Sequence, residues 1–321
     1  MSRIIYVPLE HIDGRYTVHM DRDIMEYFVN NDIEFIKIMP DLKAAPLPEG
    51  CFLNAAFTSK FKANQLMMIA DLYEQDLIRD DDRFFFSDIW FPGIESIAYM
   101  NYFHKKTAKI TGIIHAGSFT DTDFVRDLER WAKNFEDIVF DISDTIYCAS
   151  NFIRDDIIQK RMVDPSKFVV SGLPVDYETL GCYDTSRKAD RVIFNGRICD
   201  EKQPHLFDKL ADRVSEVLGR TDIEFVKTQD LGLNKDQYYQ LLAESKCVVS
   251  YALQENFGFG IAEAAYLGCT PVLPNRLVYP ELYDEKYLFD THEESVIMVC
   301  DALQQQYQDQ VELNCDPLET W

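Results

Sequence analysis

Short apolar segments alternate with longer amphipathic segments along the whole chain, and this alternation restricts the possible folds more than any other feature. Strands that are separated by helices form a mostly parallel sheet with helices on both of its faces. The sequence therefore predicts an α/β protein built on doubly wound, Rossmann-like sheets. The predicted strands are 4–7, 34–39, 83–87, 109–114, 145–148, 167–171, 191–195, 224–227, 247–250, 270–273 and 288–289.

The distribution of these strands indicates two domains, and 321 residues are enough for two cores. Six predicted strands precede residues 172–176, and five follow the polar run 184–190. The glycine, proline and polar content of these two stretches is typical of a hinge. We predict a first domain over 1–178, a second domain over 188–300, and a C-terminal segment, 301–321, that packs back towards the first domain. A predicted helix over 293–310 leads into that segment.

A glycine-rich turn follows the predicted strand 247–250 and begins a helix of small residues. It reads Glu255-Asn256-Phe257-Gly258-Phe259-Gly260-Ile261-Ala262-Glu263. Amides at a helix N-terminus lack intrahelical partners and favour an anion, while glycine lets phosphate oxygens approach closely. Glu255 and Glu263 flank the turn and can accept hydrogen bonds from sugar hydroxyls. The alternative is a tight strand-to-helix turn with both glutamates solvated.

A second turn carries two cations. Gly196-Arg197 follows the predicted strand 191–195, and Lys202 stands just before the next predicted helix. A guanidinium offers phosphate a planar pair of N–H donors, whereas an ammonium acts as a compact point charge. As isolated surface residues these cations would indicate little. Together with the two glutamates they predict a site for a nucleoside diphosphate sugar.

This arrangement resembles the retaining GT-B glycosyltransferases of the family-4 type. The family pattern is Gly-Arg, then Glu-Lys, and later two glutamates separated by seven residues. In this chain it stands as Gly196-Arg197, Glu201-Lys202 and the pair Glu255 and Glu263. The resemblance is specific over roughly residues 190–290 and loose in the first half.

The resemblance implies two Rossmann-like domains that face each other across a cleft, with a C-terminal helix crossing back to the first. It also implies transfer of a sugar from a nucleotide sugar with retention of configuration, without a metal or cofactor, and with a UDP-sugar favoured over a GDP-sugar. Arg197 and Lys202 would neutralise the diphosphate, and Glu263 would bind the ribose. Glu255, with the amides of residues 257–260, would orient the sugar. The implied donor-binding residues are Gly196, Asn256, Phe257, Gly258, Phe259, Gly260 and Glu263.

Candidate acceptor-side residues lie at strand ends in the first half of the chain. His115 follows the predicted strand 109–114 and, by the resemblance, would reach a donor-sugar hydroxyl and the reaction centre as a catalytic residue. Arg15 and Tyr16 lie in the loop after the first strand, while Asp88 and Trp90 follow the strand 83–87. Their structural alternatives are a core histidine, a solvated loop, and packing beneath a loop.

The segment Asp121-Thr122-Asp123 resembles the metal-binding Asp-x-Asp motif of the other major glycosyltransferase fold. That motif belongs at the end of a strand that carries such a site. We expect Asp121 or Thr122 to cap the N-terminus of the following helix instead, and we predict no metal site.

The acceptor is suggested by a less specific resemblance. Segments 6–10, 15–17, 88–93 and 112–117 look like phage-encoded glycosyltransferases that modify hydroxylated pyrimidines in DNA. This resemblance implies that the acceptor is a hydroxymethyl pyrimidine of phage DNA. An aromatic cluster and several cations would then contact base and phosphates, namely Lys105, Lys106, Arg126, Arg130 and Lys133.

Other acceptors and other classes of protein stay open. The stretch 274–281 resembles the tRNA-queuosine mannosyltransferase branch, so a tRNA nucleoside is an alternative to DNA, as is a small molecule or glycan. A net charge of −23 argues against a broad nucleic-acid-binding surface. A non-catalytic nucleotide-sugar-binding module or a sugar-nucleotide epimerase would have the same two-domain form.

The chain shows neither a long apolar run nor a secretion signal. No stretch approaches the roughly 18 consecutive apolar residues that a membrane span needs. We therefore expect no membrane partner and a cytoplasmic protein, in the host cytoplasm if it is encoded by a phage.

Overall fold

The computed structural model describes residues 2–12, 16–42, 53–123, 125–305, 310–313 and 317–321. These residues form two compact units. One unit runs to Pro174 and includes residues 317–321, and the other runs from Val175 to residue 313. Each unit contains one parallel sheet with flanking helices, so the predicted α/β fold with two doubly wound sheets is confirmed.

The first unit is built on six parallel strands in the order β2-β1-β3-β4-β5-β6. The strands are β1 (Ile4–Val7), β2 (Phe35–Lys37), β3 (Arg83–Phe86), β4 (Lys109–Ile114), β5 (Thr145–Cys148) and β6 (Phe168–Val170). The helices between them are α1 (Tyr16–Asn30), α2 (Ala55–Glu74), α3 (Glu95–His104), α4 (Glu129–Ile142) and α5 (Asn151–Lys160).

The central strands of this sheet are buried on both faces, and parallel strands of that kind have continuous apolar sequences. Phe84, Phe85 and Phe86 of β3 are all buried. In the neighbouring β4, a Cβ added to Gly112 would lie 2.7 Å from the carbonyl oxygen of Phe86. A glycine at this position therefore allows the large β3 side chains to pack against β4.

The second unit is built on five parallel strands in the order β11-β10-β9-β7-β8. The strands are β7 (Ala189–Phe194), β8 (Glu224–Lys227), β9 (Ser245–Val249), β10 (Thr270–Pro274) and β11 (Leu288–Phe289). The helices are α6 (Tyr177–Leu180), α7 (Pro204–Leu218), α8 (Lys235–Ala243), α9 (Phe259–Tyr266), α10 (Tyr279–Leu282) and α11 (His292–Gln304). Because the chain leaves β7 for β8 on one side and returns to β9 on the other, β7 and β9 form a switch point, where open α/β sheets bind ligands.

The end of the chain divides between the two units. Helix α11 ends at Gln304 and packs on β9, β10 and α7 of its own unit. A short helix, α12 (Pro317–Thr320), belongs to the first unit together with Trp321. The indole N–H of Trp321 donates to Ser171 Oγ at 2.9 Å, and its ring centroid lies 5.5 Å from that of Phe85.

The expected helix cap at Asp121 or Thr122 is wrong. A 3-10 turn occupies residues 126–128, and α4 starts after Leu128, which provides no side-chain cap. The carboxylate of Asp123 accepts from the N–H of Val125 at 2.9 Å, two residues further along the chain. Asp121 Oδ1 lies 3.1 Å from Lys160 Nζ. The prediction erred because the polar run precedes a turn that separates it from the helix.

Within the residues described above, the longest apolar helical stretch falls short of what crossing a bilayer requires.

A buried glutamine connects α2 to the carboxyl ends of β1 and β2. Gln65 is 1% exposed, and its amide N–H groups donate to the carbonyls of Pro8 at 2.8 Å and Ile38 at 3.0 Å. These bonds hold the loop after β1 against α2. The carbonyls would be left without these donors if the side chain were apolar.

We predict that Gln65→Met lowers the free energy of unfolding of the first unit by about 1–3 kcal/mol. Urea unfolding followed by tryptophan fluorescence measures this, since all three tryptophans (Trp90, Trp131 and Trp321) lie in that unit. Gln75→Met, at an exposed position at the end of the same helix, is the matched control and should change stability by less than about 0.5 kcal/mol. Equal effects of the two substitutions would contradict the role of Gln65.

Candidate functional site

A cavity of about 60 Å³ lies at the carboxyl ends of β7 and β9, at the switch point of the second sheet. Both predicted turns contribute to it. The loop after β7 contributes Asn195, Gly196 and Lys202 to its lining, and the loop after β9 contributes Ser250 and Glu255. The glycine turn and the start of α10 add Gly258, Gly260 and Tyr279. The structure therefore brings five of the predicted donor-side residues together in one cavity, namely Gly196, Lys202, Glu255, Gly258 and Gly260.

The glycine turn forms the start of α9. Gly258 adopts φ +83°, a left-handed conformation that favours glycine, and its carbonyl accepts from the amides of Ile261 at 2.9 Å and Ala262 at 3.0 Å. A Cβ on Gly260 would lie 2.9 Å from Asn195 Nδ2, which donates to the Gly260 carbonyl at 2.6 Å. Asn195 thus attaches the end of β7 to the first turn of α9. The positive end of the α9 dipole is directed at the cavity.

Lys202 supplies the buried positive charge of the cavity. The residue is 9% exposed, and its ammonium donates to the carbonyl of Gln254 and lies 3.1 Å from Glu255 Oε2. Two further bonds join the same loops: the amide of Leu253 donates to the Glu201 carbonyl at 2.7 Å, and Gln203 Nε2 donates to the Tyr251 carbonyl at 2.7 Å. The loops after β7 and β9 are therefore held together around one ammonium group.

Arg197 lies in the same loop as Lys202 but is not part of the cavity lining. Its side chain is 42% exposed, and its guanidinium forms an ion pair with Glu201. The two predicted cations thus differ in the structure, since one is buried in the cavity and the other is at the surface. A role for Arg197 in binding phosphate stays a prediction.

The two glutamates of the turn have different partners. Glu255 lines the cavity beside Lys202, and its Oε1 accepts from the amide of Asn256 at 3.3 Å. Glu263 Oε1 accepts from Lys235 Nζ at 2.7 Å and from the hydroxyl of Tyr239 at 2.9 Å. Burial, with the charge of Glu263 second, raises the pKa of Tyr239 well above its usual range, so this phenol stays protonated and donates. The ribose-binding role of Glu263 stays a prediction.

The aromatic residues of the turn serve packing. The ring of Phe257 is buried and lies edge-on to Phe259, with 5.1 Å between the ring centroids. The predicted contact of these residues with a ligand is through their main-chain amides. The buried ring of Phe257 anchors the bend in the interior of the unit.

Several residues of the site were missed by sequence reasoning. Tyr279 lines the cavity, and its hydroxyl lies 2.8 Å from Ser250 Oγ. Burial, followed by the charge of Glu255, raises the pKa of Tyr279 well above its usual value, which keeps the phenol neutral. Asn195 could have been found from its place directly after a predicted strand. Lys235 could not, because no local pattern connects it to a carboxylate 28 positions later in the chain.

The predicted acceptor-side residues that the structure describes lie in the first unit, with Asp88 and Trp90 after β3, His115 after β4 and Tyr16 at the start of α1. His115 Nε2 is 2.7 Å from the Ser87 carbonyl, and its ring centroid is 5.6 Å from that of Tyr16. Asp88 Oδ2 is 3.3 Å from Lys62 Nζ. The structure thus brings His115, Tyr16 and Asp88 into one neighbourhood. Arg15 falls outside the described residues.

Trp90 is directed towards the interior of this unit. Its indole N–H donates to Glu136 Oε1 at 3.2 Å, and its ring packs against Phe135 with a centroid separation of 4.9 Å. Glu136 is 1% exposed and also accepts from Ser118 N at 2.6 Å and from Arg161 Nη2 at 3.0 Å. This buried carboxylate, which the sequence did not single out, joins the loop after β3 to the loop that carries His115.

Comparison with known proteins places these features in context. No protein-family profile matches the chain. The tRNA-queuosine alpha-mannosyltransferase of Drosophila melanogaster is 34% identical over 101 residues, which make up 32% of this chain and 25% of that protein. The similarity therefore spans about a quarter of that relative's length.

Solved structures show a similar fold over more of the chain. An α,α-trehalose-phosphate synthase (UDP-forming) from Burkholderia vietnamiensis has a TM-score of 0.62 at 13% identity. The match covers 100% of this chain and 96% of the synthase. S. aureus TarM, solved in complex with UDP, has a TM-score of 0.53 at 16% identity and covers 76% of this chain, which spans 52% of TarM. At these identities the likeness shows the fold alone, and it agrees with the expected GT-B type of two Rossmann-like domains.

The environment of His115 predicts a pH dependence of stability. Burial lowers the pKa of His115 below its ordinary value of 6.5, so the unfolded chain takes up a proton that the folded chain resists. The resulting stabilisation is complete above about pH 6.5 and is lost as the pH falls through the lowered folded-state pKa.

We expect His115→Asn to reduce the loss of unfolding free energy between about pH 7 and pH 5, as measured by urea titration with tryptophan fluorescence. His104→Asn, an exposed histidine in the same unit, is the matched control. If both substitutions change the slope equally, the pH dependence does not arise from the burial of His115.

Proposed function

We propose that this protein is a glycosyltransferase that moves a sugar from a nucleoside diphosphate sugar to a hydroxyl acceptor, with retention of configuration. The observation that carries the proposal is the buried ammonium of Lys202, held in a cavity at the glycine-opened start of α9. A UDP-sugar is the favoured donor. Among proteins of similar fold, a UDP-forming synthase and TarM in complex with UDP support that choice.

The charges of the cavity suit a diphosphate. Lys202 is paired with the carboxylate of Glu255 and the carbonyl of Gln254. A diphosphate oxygen can join or replace these partners, and the positive end of the α9 dipole favours the same anion. The same groups stabilise the negative charge that develops on the diphosphate as the bond to the sugar breaks.

The proposed chemistry needs few groups from the protein. The bond between the anomeric carbon and the diphosphate oxygen breaks, and its electron pair leaves with the diphosphate. The acceptor oxygen attacks from the face that the leaving group vacates and transfers its proton to a departing phosphate oxygen. No metal and no separate protein base take part in this scheme.

For the acceptor we propose a hydroxymethyl pyrimidine in phage DNA, as the resemblance of the first half suggests. Trp131 is 49% exposed on α4 and can stack on a base. Most of the cations assigned to phosphates already have carboxylate partners, as Lys106 has with Asp76 and Lys133 with Asp137. On binding DNA, these cations would exchange their carboxylate partners for phosphates. We therefore expect the affinity for DNA to fall strongly as the salt concentration rises.

A hydroxyl of a modified tRNA nucleoside is the second candidate acceptor. It is favoured by the similarity to an enzyme whose name gives tRNA-queuosine as its acceptor. In both cases the acceptor is a hydroxyl on a modified nucleoside.

Incubation with UDP-sugars and either hydroxymethylated DNA or tRNA, followed by nucleoside mass spectrometry, distinguishes these acceptors. A hexose or pentose mass added to the DNA nucleoside supports the first, and the same mass on a tRNA nucleoside supports the second. Release of a free, altered sugar without acceptor would indicate an epimerase. UDP binding without any turnover would indicate a binding module. An inverted linkage in the product, read by nuclear magnetic resonance, would refute retention.

We predict that Lys202→Ala lowers turnover of the UDP-sugar by about 100-fold or more, because it removes the buried charge that faces the leaving group. Arg197→Ala should also lower turnover, if the exposed guanidinium turns from Glu201 to the diphosphate when donor binds. Coupled detection of released UDP measures both.

Lys209→Ala, at an exposed position on α7, is the matched control and should keep native turnover. Far-ultraviolet circular dichroism should show all three variants folded. Native turnover in Lys202→Ala would reject the donor site.

A further inference from the structure

The loop that follows β10, residues 275–278, contains a backbone conformation that is rare for its residue type. Leu277 has φ +60°, in the left-handed region where a Cβ is disfavoured. Such a conformation persists where the surroundings hold it in place, and it is most frequent next to functional sites. Val278 and Tyr279, the next two residues, are fully buried.

The residue before this strained position connects the loop to the donor cavity. Arg276 Nε donates to the carbonyl of Ala252 at 3.0 Å, and its Nη2 donates to the carbonyl of Tyr251 at 3.0 Å. A guanidinium can make both bonds at once because its donors have a fixed, planar arrangement. Tyr279 adds a third connection through its contact with Ser250.

These bonds fix the segment that holds Lys202. The carbonyls of Tyr251 and Ala252 directly precede Leu253, whose amide bonds to the loop after β7, and Gln254, whose carbonyl accepts from the Lys202 ammonium. The position of the ammonium in the cavity therefore depends on where this segment lies. Without the guanidinium, the Ala252 carbonyl loses this donor, and the Tyr251 carbonyl keeps only its bond from Gln203 Nε2.

We propose that Arg276 is a positioning residue for the donor diphosphate. It fixes the segment 251–255 so that Gln254 and Glu255 hold the Lys202 ammonium at the cavity. The inference rests on the proposed function, since it assigns a role within the same donor site. In this role Arg276 acts through Lys202 and does not itself contact the phosphate.

A double-mutant cycle on UDP binding tests this role, with affinity measured by isothermal titration calorimetry. Arg276→Lys keeps the positive charge but lacks the planar pair of N–H donors that bonds both carbonyls. We expect it to weaken UDP binding on the order of ten-fold. Arg276→Ala should have a similar effect. In the Lys202→Ala background, Arg276→Lys should weaken binding little further, because the group it positions is gone.

Three outcomes would overturn the proposal. Native affinity in Arg276→Lys would show that charge alone matters. Additive effects of Arg276→Lys and Lys202→Ala would show that Arg276 acts independently, and the donor site would stand without it. Native UDP affinity in Lys202→Ala would reject the donor site itself, and the role of Arg276 with it.

Arg213→Lys is the matched control for the same conservative change. Arg213 is an arginine of α7 whose side chain is 45% exposed and pairs with Glu216. Its substitution should leave UDP affinity unchanged. If Arg276→Ala fails to fold, Arg276→Lys alone decides the outcome.

Discussion

The second unit is organised around one buried ammonium group. A lysine that is removed from water is stable only when its charge and its N–H donors find partners. Lys202 finds them in a carbonyl and a carboxylate of the loop after β9, so neither loop can be placed without the other. The glycine bend and the start of α9 come directly after this loop in the chain, so its position also sets theirs. The Lys202 ammonium is thus placed at the switch point of the sheet. Because Glu255 and Gln254 are its partners, it is not an isolated buried charge.

The polar groups of the two units differ in character. In the second unit a cation and a helix N-terminus converge, which suits an anionic ligand. In the first unit burial lowers the pKa of His115, and Asp88 Oδ2 lies 3.3 Å from Lys62 Nζ. An imidazole and a paired carboxylate suit a hydroxyl ligand better than a phosphate. The contrast fits the proposed division of labour between donor and acceptor.

The central strands were predictable because they are buried on both faces and carry apolar runs, as β3 does with its three buried phenylalanines. All eleven predicted strands are present. Helix α1 starts at Tyr16, earlier than its apolar pattern alone indicates, because its first turns bury the polar residues Thr17 and Asp21. Helix α2 starts after Asn54, which caps the amide of Phe57 at 3.1 Å, a local signal that the apolar pattern did not include.

The sequence predicted those parts of the candidate site whose residues lie close together in the chain. The spacing of glycines, cations and glutamates located the cavity at the ends of β7 and β9. It did not separate the buried Lys202 from the exposed Arg197, because burial depends on the loop after β9, about 50 residues away. The partners Lys235, Tyr279 and Arg276 come from other elements and meet the site only after the sheet has formed.

Glu136 has a consequence for how this protein can diverge. One carboxylate serves Trp90, Ser118 and Arg161, which belong to three different elements. Loss of any one partner leaves the others with an unbalanced group in the interior, so single changes are disfavoured and joint changes are tolerated. Across relatives, these four positions should therefore vary as a set.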